Sequence, residues 1–80
     1  MKEIYEYKYF GWICILNINN DGSMSLTDSF RGKTKKFNDI VFKKIGSNGG
    51  ERIQYNNNNI SLPFKNYDNG ELDKHWRKIK

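Results

Sequence analysis

No alanine occurs among the eighty residues, and that absence constrains the fold more than any motif in the chain. Alanine is the residue that gives up least on entering a helix. Its place is taken by eleven asparagines, eleven lysines and nine isoleucines, with twelve aromatic residues beside them. Isoleucine and the aromatics suit a pleated, half-buried surface, while asparagine and glycine suit the turns that join strands. The chain therefore leans toward antiparallel strands. Its length gives room for one small domain spanning residues 1–80 with one core, and the lone Cys14 leaves no disulfide within the chain to staple it.

The pattern along the chain supports strands at both ends of the reading. Residues 3–9 alternate, with Tyr5, Tyr7 and Tyr9 on one face and Ile4, Glu6 and Lys8 on the other. Gly11 interrupts, and Trp12 to Ile18 is apolar on both faces, as a central strand would be. Asn19 to Gly22 signals a hairpin, and Ser23 to Phe30 returns with Met24, Leu26 and Phe30 on one face. Residues 31–45 fit two readings. Phe37, Ile40, Val41 and Ile45 make a helical stripe with Thr34 as N-cap and Gly46 as stop, yet Ile-Val-Phe also suits a strand. A second hairpin follows, with Glu51–Tyr55 and Ile60–Phe64 joined by four asparagines. At the C-terminus Leu72, Trp76 and Ile79 recur at helical spacing behind Asp68 or Asn69 as cap, predicting a final helix. The expected fold is mainly β: about five strands in an antiparallel meander or small open barrel, with a C-terminal helix, becoming α+β if residues 34–45 are helical.

Chemistry-bearing residues are few. His75 is the only imidazole and falls on the expected terminal helix, where a surface position accounts for it. Cys14 lies in the most apolar strand, where it serves as a small buried hydrophobe rather than a thiolate nucleophile. One cysteine and one histidine offer no zinc-ligand spacing, and the acidic residues match no calcium loop, so neither catalysis, a metal nor a cofactor is expected. Gly46 to Gly50 could offer amides to a phosphate, but it matches no nucleotide-binding pattern and fits a turn better. Asn59-Ile60-Ser61 fits a glycosylation acceptor with no secretion signal ahead of it. No stretch nears the ~18 consecutive apolar residues of a membrane helix. A soluble protein of the cytoplasm, with no membrane partner, is the expectation.

The net charge of +5 is local. Arg31, Lys33, Lys35, Lys36, Lys43 and Lys44 against the lone Asp39 carry it, with a smaller basic group at Lys74, Arg77, Lys78 and Lys80. Clustered cations can neutralise phosphates, and an exposed stripe of Tyr5, Tyr7 and Tyr9 could stack unpaired bases. The same tyrosines could instead wall the core, the lysines could be a solvated face, and the two groups together could form a protein interface.

Phe42-Lys43-Lys44-Ile45, Gly49-Gly50, Ile53-Gln54-Tyr55-Asn56 and Ile60-Ser61-Leu62-Pro63, after the hairpin at Asp21-Gly22, resemble a family of small uncharacterised bacterial domains often encoded beside toxin genes. That resemblance covers about half the chain. It departs from the family at Tyr55, where the aromatic is usually tryptophan, and in a shortened mid-chain helix. It implies a β-meander with one or two helices and an antitoxin-like role. In general character, a tiny alanine-free domain with AT-rich codon preference and no catalytic set is similar to phage-encoded inhibitors of host defence of the anti-CRISPR type. That likeness implies action by occlusion, and the positive charge argues against mimicry of nucleic acid. The sequence thus predicts a non-catalytic binding protein: an inhibitor from a phage or mobile element that blocks a host protein or nucleoprotein complex, or else a stand-alone nucleic-acid-binding or antitoxin-like module. The basic block and the three tyrosines are its contact residues in either case.

Overall fold

A computed structural model describes residues 2–80. Eight strands follow in order: β1 (Glu3–Tyr9), β2 (Trp12–Ile18), β3 (Met24–Phe30), β4 (Lys33–Phe37), β5 (Val41–Ile45), β6 (Gly50–Tyr55), β7 (Ile60–Lys65) and β8 (Trp76–Lys78). They form two separate antiparallel sheets, of order β4-β3-β2-β1-β8 and β5-β6-β7. Two compact units hold these sheets, the chain up to Asn38 with His75–Lys80, and Asp39–Lys74.

The first three strands make the expected meander. Tyr7 pairs with Cys14 and Cys14 with Asp28, while Leu16 lies between Tyr5 and Leu26 in the ladder. Residues opposite one another share a face, so Tyr7, Cys14, Leu16 and Leu26 gather on one side of the sheet, and all four are buried. Burying each leucine contributes about 1.5–3 kcal/mol. On the other face Glu6, Asn17, Thr27 and Lys36 stand with Ile4, Ile13 and Ile15, and Ile13 is exposed, so β2 is not covered on both sides as its apolar run implied.

In the second unit Ile53 lies between Phe42 and Leu62, and it is buried with Leu62, Tyr55 and Phe64. The Phe42 and Phe64 rings are 5.1 Å apart. Pro63, which cannot donate to the ladder, falls opposite Arg52 where the β6–β7 register shifts. Gly50 is glycine because a Cβ there would come within 2.9 Å of both the Ile45 carbonyl oxygen and the Tyr67 Cα.

Two expectations are corrected, and one open reading is decided. The expected C-terminal helix is absent: Trp76 begins a strand, pairs with Tyr7 and is buried, and Leu72 bridges Lys65. An eight-residue segment without alanine gains too few helical bonds to offset nucleation, whereas the edge of β1 offers a ready ladder. Of the two readings open for residues 31–45 the strand holds: they contain β4 and β5, with Thr34 hydrogen-bonded to Ser29 across the hairpin (Oγ–Oγ1 2.7 Å) rather than capping a helix. Eight strands among the described residues, in two sheets neither of which closes into a barrel, replace the expected five or so of one meander or small open barrel. The helices implied by the family resemblance are also missing, as no helix occurs among the described residues, and so none long and apolar enough to cross a membrane.

Candidate functional site

Two tight turns close the same end of the first sheet. Tyr9 pairs with Trp12 and Phe30 with Lys33, which leaves Phe10-Gly11 and Arg31-Gly32 as two-residue turns. Both residues of each have positive φ, 46° and 80° in the first, 51° and 77° in the second, the geometry of a type I′ turn. Such turns favour asparagine or aspartate before glycine because a side chain with a Cβ is crowded in the left-handed region. Among the described residues the other non-glycine positions with positive φ are Asn56, Asn57 and Asn58, which tolerate it well. Phe10 and Arg31 do not. A bulky residue held there costs of order 1–3 kcal/mol, and Phe10, 88% exposed, recovers little of it by burial.

Between these turns runs one rung of the ladder. Tyr9, Trp12, Phe30 and Lys33 lie opposite one another across β1, β2, β3 and β4, on the face that also carries Asp28 and Lys35. Tyr9 and Phe30 are 44% and 45% exposed. The Tyr9 and Phe10 rings meet edge to face at 4.7 Å, and the Arg31 guanidinium sits over the Phe30 ring at 5.1 Å. Trp12 donates its indole N–H to Asp28 Oδ1 at 2.7 Å, which holds the ring in place as one wall of an open groove of about 390 Å³ lined by Trp12, Asp28 and Phe30.

The cations at this end differ from those at the other edge of the sheet. Glu6 takes Arg77 at 3.0 Å and Lys8 at 3.9 Å, and Glu3 takes Lys78 at 3.2 Å. Among the described residues no carboxylate stands within ion-pair distance of Arg31, Lys33, Lys35 or Lys36.

Of the nine residues singled out from sequence, Arg31, Lys33 and Lys35 are brought together on the aromatic face of the β3–β4 hairpin, and Tyr9 joins them at the same end. Lys36 pairs with Thr27 and so points to the opposite face. Lys43 and Lys44 belong to the second unit and point to opposite sides of β5, across from Arg52 and Glu51. Tyr7 is a core residue, its ring packed at 5.2 Å against Trp76. Tyr5 is half-buried and donates its hydroxyl to Glu3 at 2.7 Å; burial first and that carboxylate second push its pKa up to about 12. The hydrogen bond from Tyr5, ahead of that from Lys78, lowers the pKa of Glu3. Phe10, Trp12 and Phe30 were not among the expected contact residues. The dipeptides Phe10-Gly11 and Arg31-Gly32, standing where a hairpin wants Asn-Gly, were the signal that could have found this end.

Elsewhere, His75 lies beside the Tyr9 and Tyr7 rings, at 5.0 and 5.9 Å, and Cys14 is buried. Among the described residues no three His, Cys, Asp or Glu side chains gather closely enough to hold a metal ion. The glycine-rich turn borders a cavity of about 500 Å³ between Lys44 and Lys65, but Glu51 pairs with Lys65 at 3.6 Å and opposes an anion there. Comparison with known proteins finds no family model, no curated protein and no solved structure that matches this chain.

Proposed function

We propose that this chain is a non-catalytic binding protein, an inhibitor from a phage or mobile element that docks on a host nucleic-acid-processing or defence complex and blocks it stoichiometrically. Contact is made through the Phe10/Arg31 end of the first sheet. One observation carries the reading: two bulky side chains, Phe10 and Arg31, are held in a costly conformation at the tips of neighbouring hairpins, exposed, beside an aromatic rung and cations whose contacts are aromatic rings rather than carboxylates. Backbone strain that no core contact repays is a mark of a surface kept for binding. Tryptophan, tyrosine and arginine are also the side chains that dominate interface energetics.

The net charge of +5 sets the kind of target, since a basic inhibitor is attracted to an acidic protein face or to bound nucleic acid and is no mimic of it. The test is phage plating on a bacterium whose nucleic-acid-targeting defence is active. Expression of the protein should restore plating in a dose-dependent way, and Arg31→Glu with Lys33→Glu and Lys35→Glu should remove the effect while the fold persists by circular dichroism. Restoration that survives those three changes would place the contact elsewhere. Failure to protect against any such system would leave the stand-alone nucleic-acid-binding or antitoxin-like module as the better account.

A further inference from the structure

The groove at this end has a chemistry more specific than a general docking face. Its walls are the Trp12 and Phe30 rings, cross-strand partners on adjacent strands. At about 390 Å³ it sits near the lower end of ligand clefts, which begin at about 300 Å³. That suits one planar group. Lys33 and Lys35 pair with Phe30 and Asp28, so both rise from the next strand on the face that lines the groove, and the Lys35 ammonium lies over the Phe37 ring at 5.3 Å. Neighbouring strands lie about 4.8 Å apart, so Lys33 stands beside the groove and Lys35 reaches it by swinging off the Phe37 ring. Arg31 completes the basic rim over Phe30.

We propose that this groove holds an unpaired nucleobase, stacked against Trp12 and Phe30, with the adjoining phosphates on Arg31, Lys33 and Lys35. The proposal rests on the docking function above and names the partner chemistry as single-stranded nucleic acid. An aromatic floor, with the Asp28 carboxylate engaged by the Trp12 indole, beside three cations that form no ion pair among the described residues complements a ligand whose flat apolar face and negative charge alternate along one chain. A paired base is excluded because both its faces are already stacked. The 2.7 Å hydrogen bond to Asp28 engages the indole N–H and leaves the ring, rather than the N–H, to the ligand. Asp28→Asn should therefore weaken binding less than Phe30→Ala.

The test is fluorescence anisotropy with a labelled oligothymidine, the same-length oligomer carrying abasic sites, and a duplex, against the wild type, Phe30→Ala and Lys33→Gln/Lys35→Gln. Phe30 is nearly half exposed, so its truncation leaves the fold intact, as near-ultraviolet circular dichroism would verify. Stacking of one base is worth roughly five- to 150-fold in affinity. Phe30→Ala should cost that factor on oligothymidine and almost nothing on the abasic oligomer, and the lysine variant should weaken both. Equal binding of the two oligomers, or equal loss from both in Phe30→Ala, would overturn the stacking. Absence of oligonucleotide binding, with phage protection still lost in the Arg31/Lys33/Lys35 variant, would overturn this proposal and leave the docking function standing with a protein target. Failure of the wild type itself to protect would overturn the docking function.

Discussion

Phe10 and Arg31 hold positions that asparagine would occupy at lower cost, so the residue scale gives the sharpest opposition between stability and binding. Phe10→Asn and Arg31→Asn place in each type I′ turn the residue it favours. Each should stabilise the protein by about 0.5–1 kcal/mol, after allowing for the lost Tyr9 and Phe30 ring contacts. For a domain of this size that is a rise in Tm of a few degrees, at about 4–8 °C per kcal/mol, readable by thermal scanning. The same variants should lose phage protection. A variant that lost stability would show that the strain at the turn is smaller than the contacts it supports.

Tyr5 gives a second residue-scale prediction. Its pKa of about 12 in the folded chain stands above the ordinary value of 10.0. Below pH 10 both states keep the phenolic proton. Between pH 10 and 12 the unfolded chain releases it while the folded chain retains it, so stability falls as pH rises through that window. The urea midpoint should drop across it, and Tyr5→Phe should flatten the drop. The alternation of Tyr5, Tyr7 and Tyr9 placed all three on one face correctly from sequence. Period two cannot say which member of a stripe is covered, because cover comes from other strands: Trp76 packs on Tyr7, and only Tyr9 is left well exposed.

At the scale of elements, the last strand separates what local pattern conveys from what it cannot. Leu72, Trp76 and Ile79 have helical spacing, and Trp76 is indeed a packing residue, but as a member of a ladder with Tyr7. An isolated strand of three residues carries almost no signal of its own. It forms because β1 has an unpaired side, a fact of topology separated from it by more than sixty residues of chain. The β1–β3 meander was legible because each strand is seven residues long, the outer two alternate, the middle one is a continuous apolar run, and short turns join them. Trp76→Ala should therefore cost about 3–5 kcal/mol, the range for a buried tryptophan, and should release β8 from the β1 edge. Hydrogen exchange should show the Ile79 amide, bonded to the Ile4 carbonyl at 2.7 Å, losing protection before the β2–β3 ladder does. Equal loss in both places would mean that β8 and the meander open as one.

For the whole molecule, the decisive quantity is where the charge resides. The first unit has nine basic side chains against four acidic, and the second has five against five, so the whole net charge of +5 belongs to the first. Sequence proximity joined Lys43 and Lys44 to the basic block because they follow Lys36 closely, yet they fall in the neutral unit, where Glu51 faces Lys44 across the ladder. A linear charge count cannot see that a strand break at 38–40 divides the block. If affinity for a single strand comes from phosphates neutralised at the hairpin, each lost contact should lower the slope of log K against log salt by about 0.7. Lys33→Gln with Lys35→Gln should reduce that slope by about 1.4, whereas Lys43→Gln with Lys44→Gln should leave it nearly unchanged. Both pairs remove the same formal charge, so a response governed by net charge alone would be equal for the two. Equal slopes would move the site away from the hairpin; unequal slopes in the stated order would tie binding to the end of the first sheet where the strained turns and the aromatic rung stand.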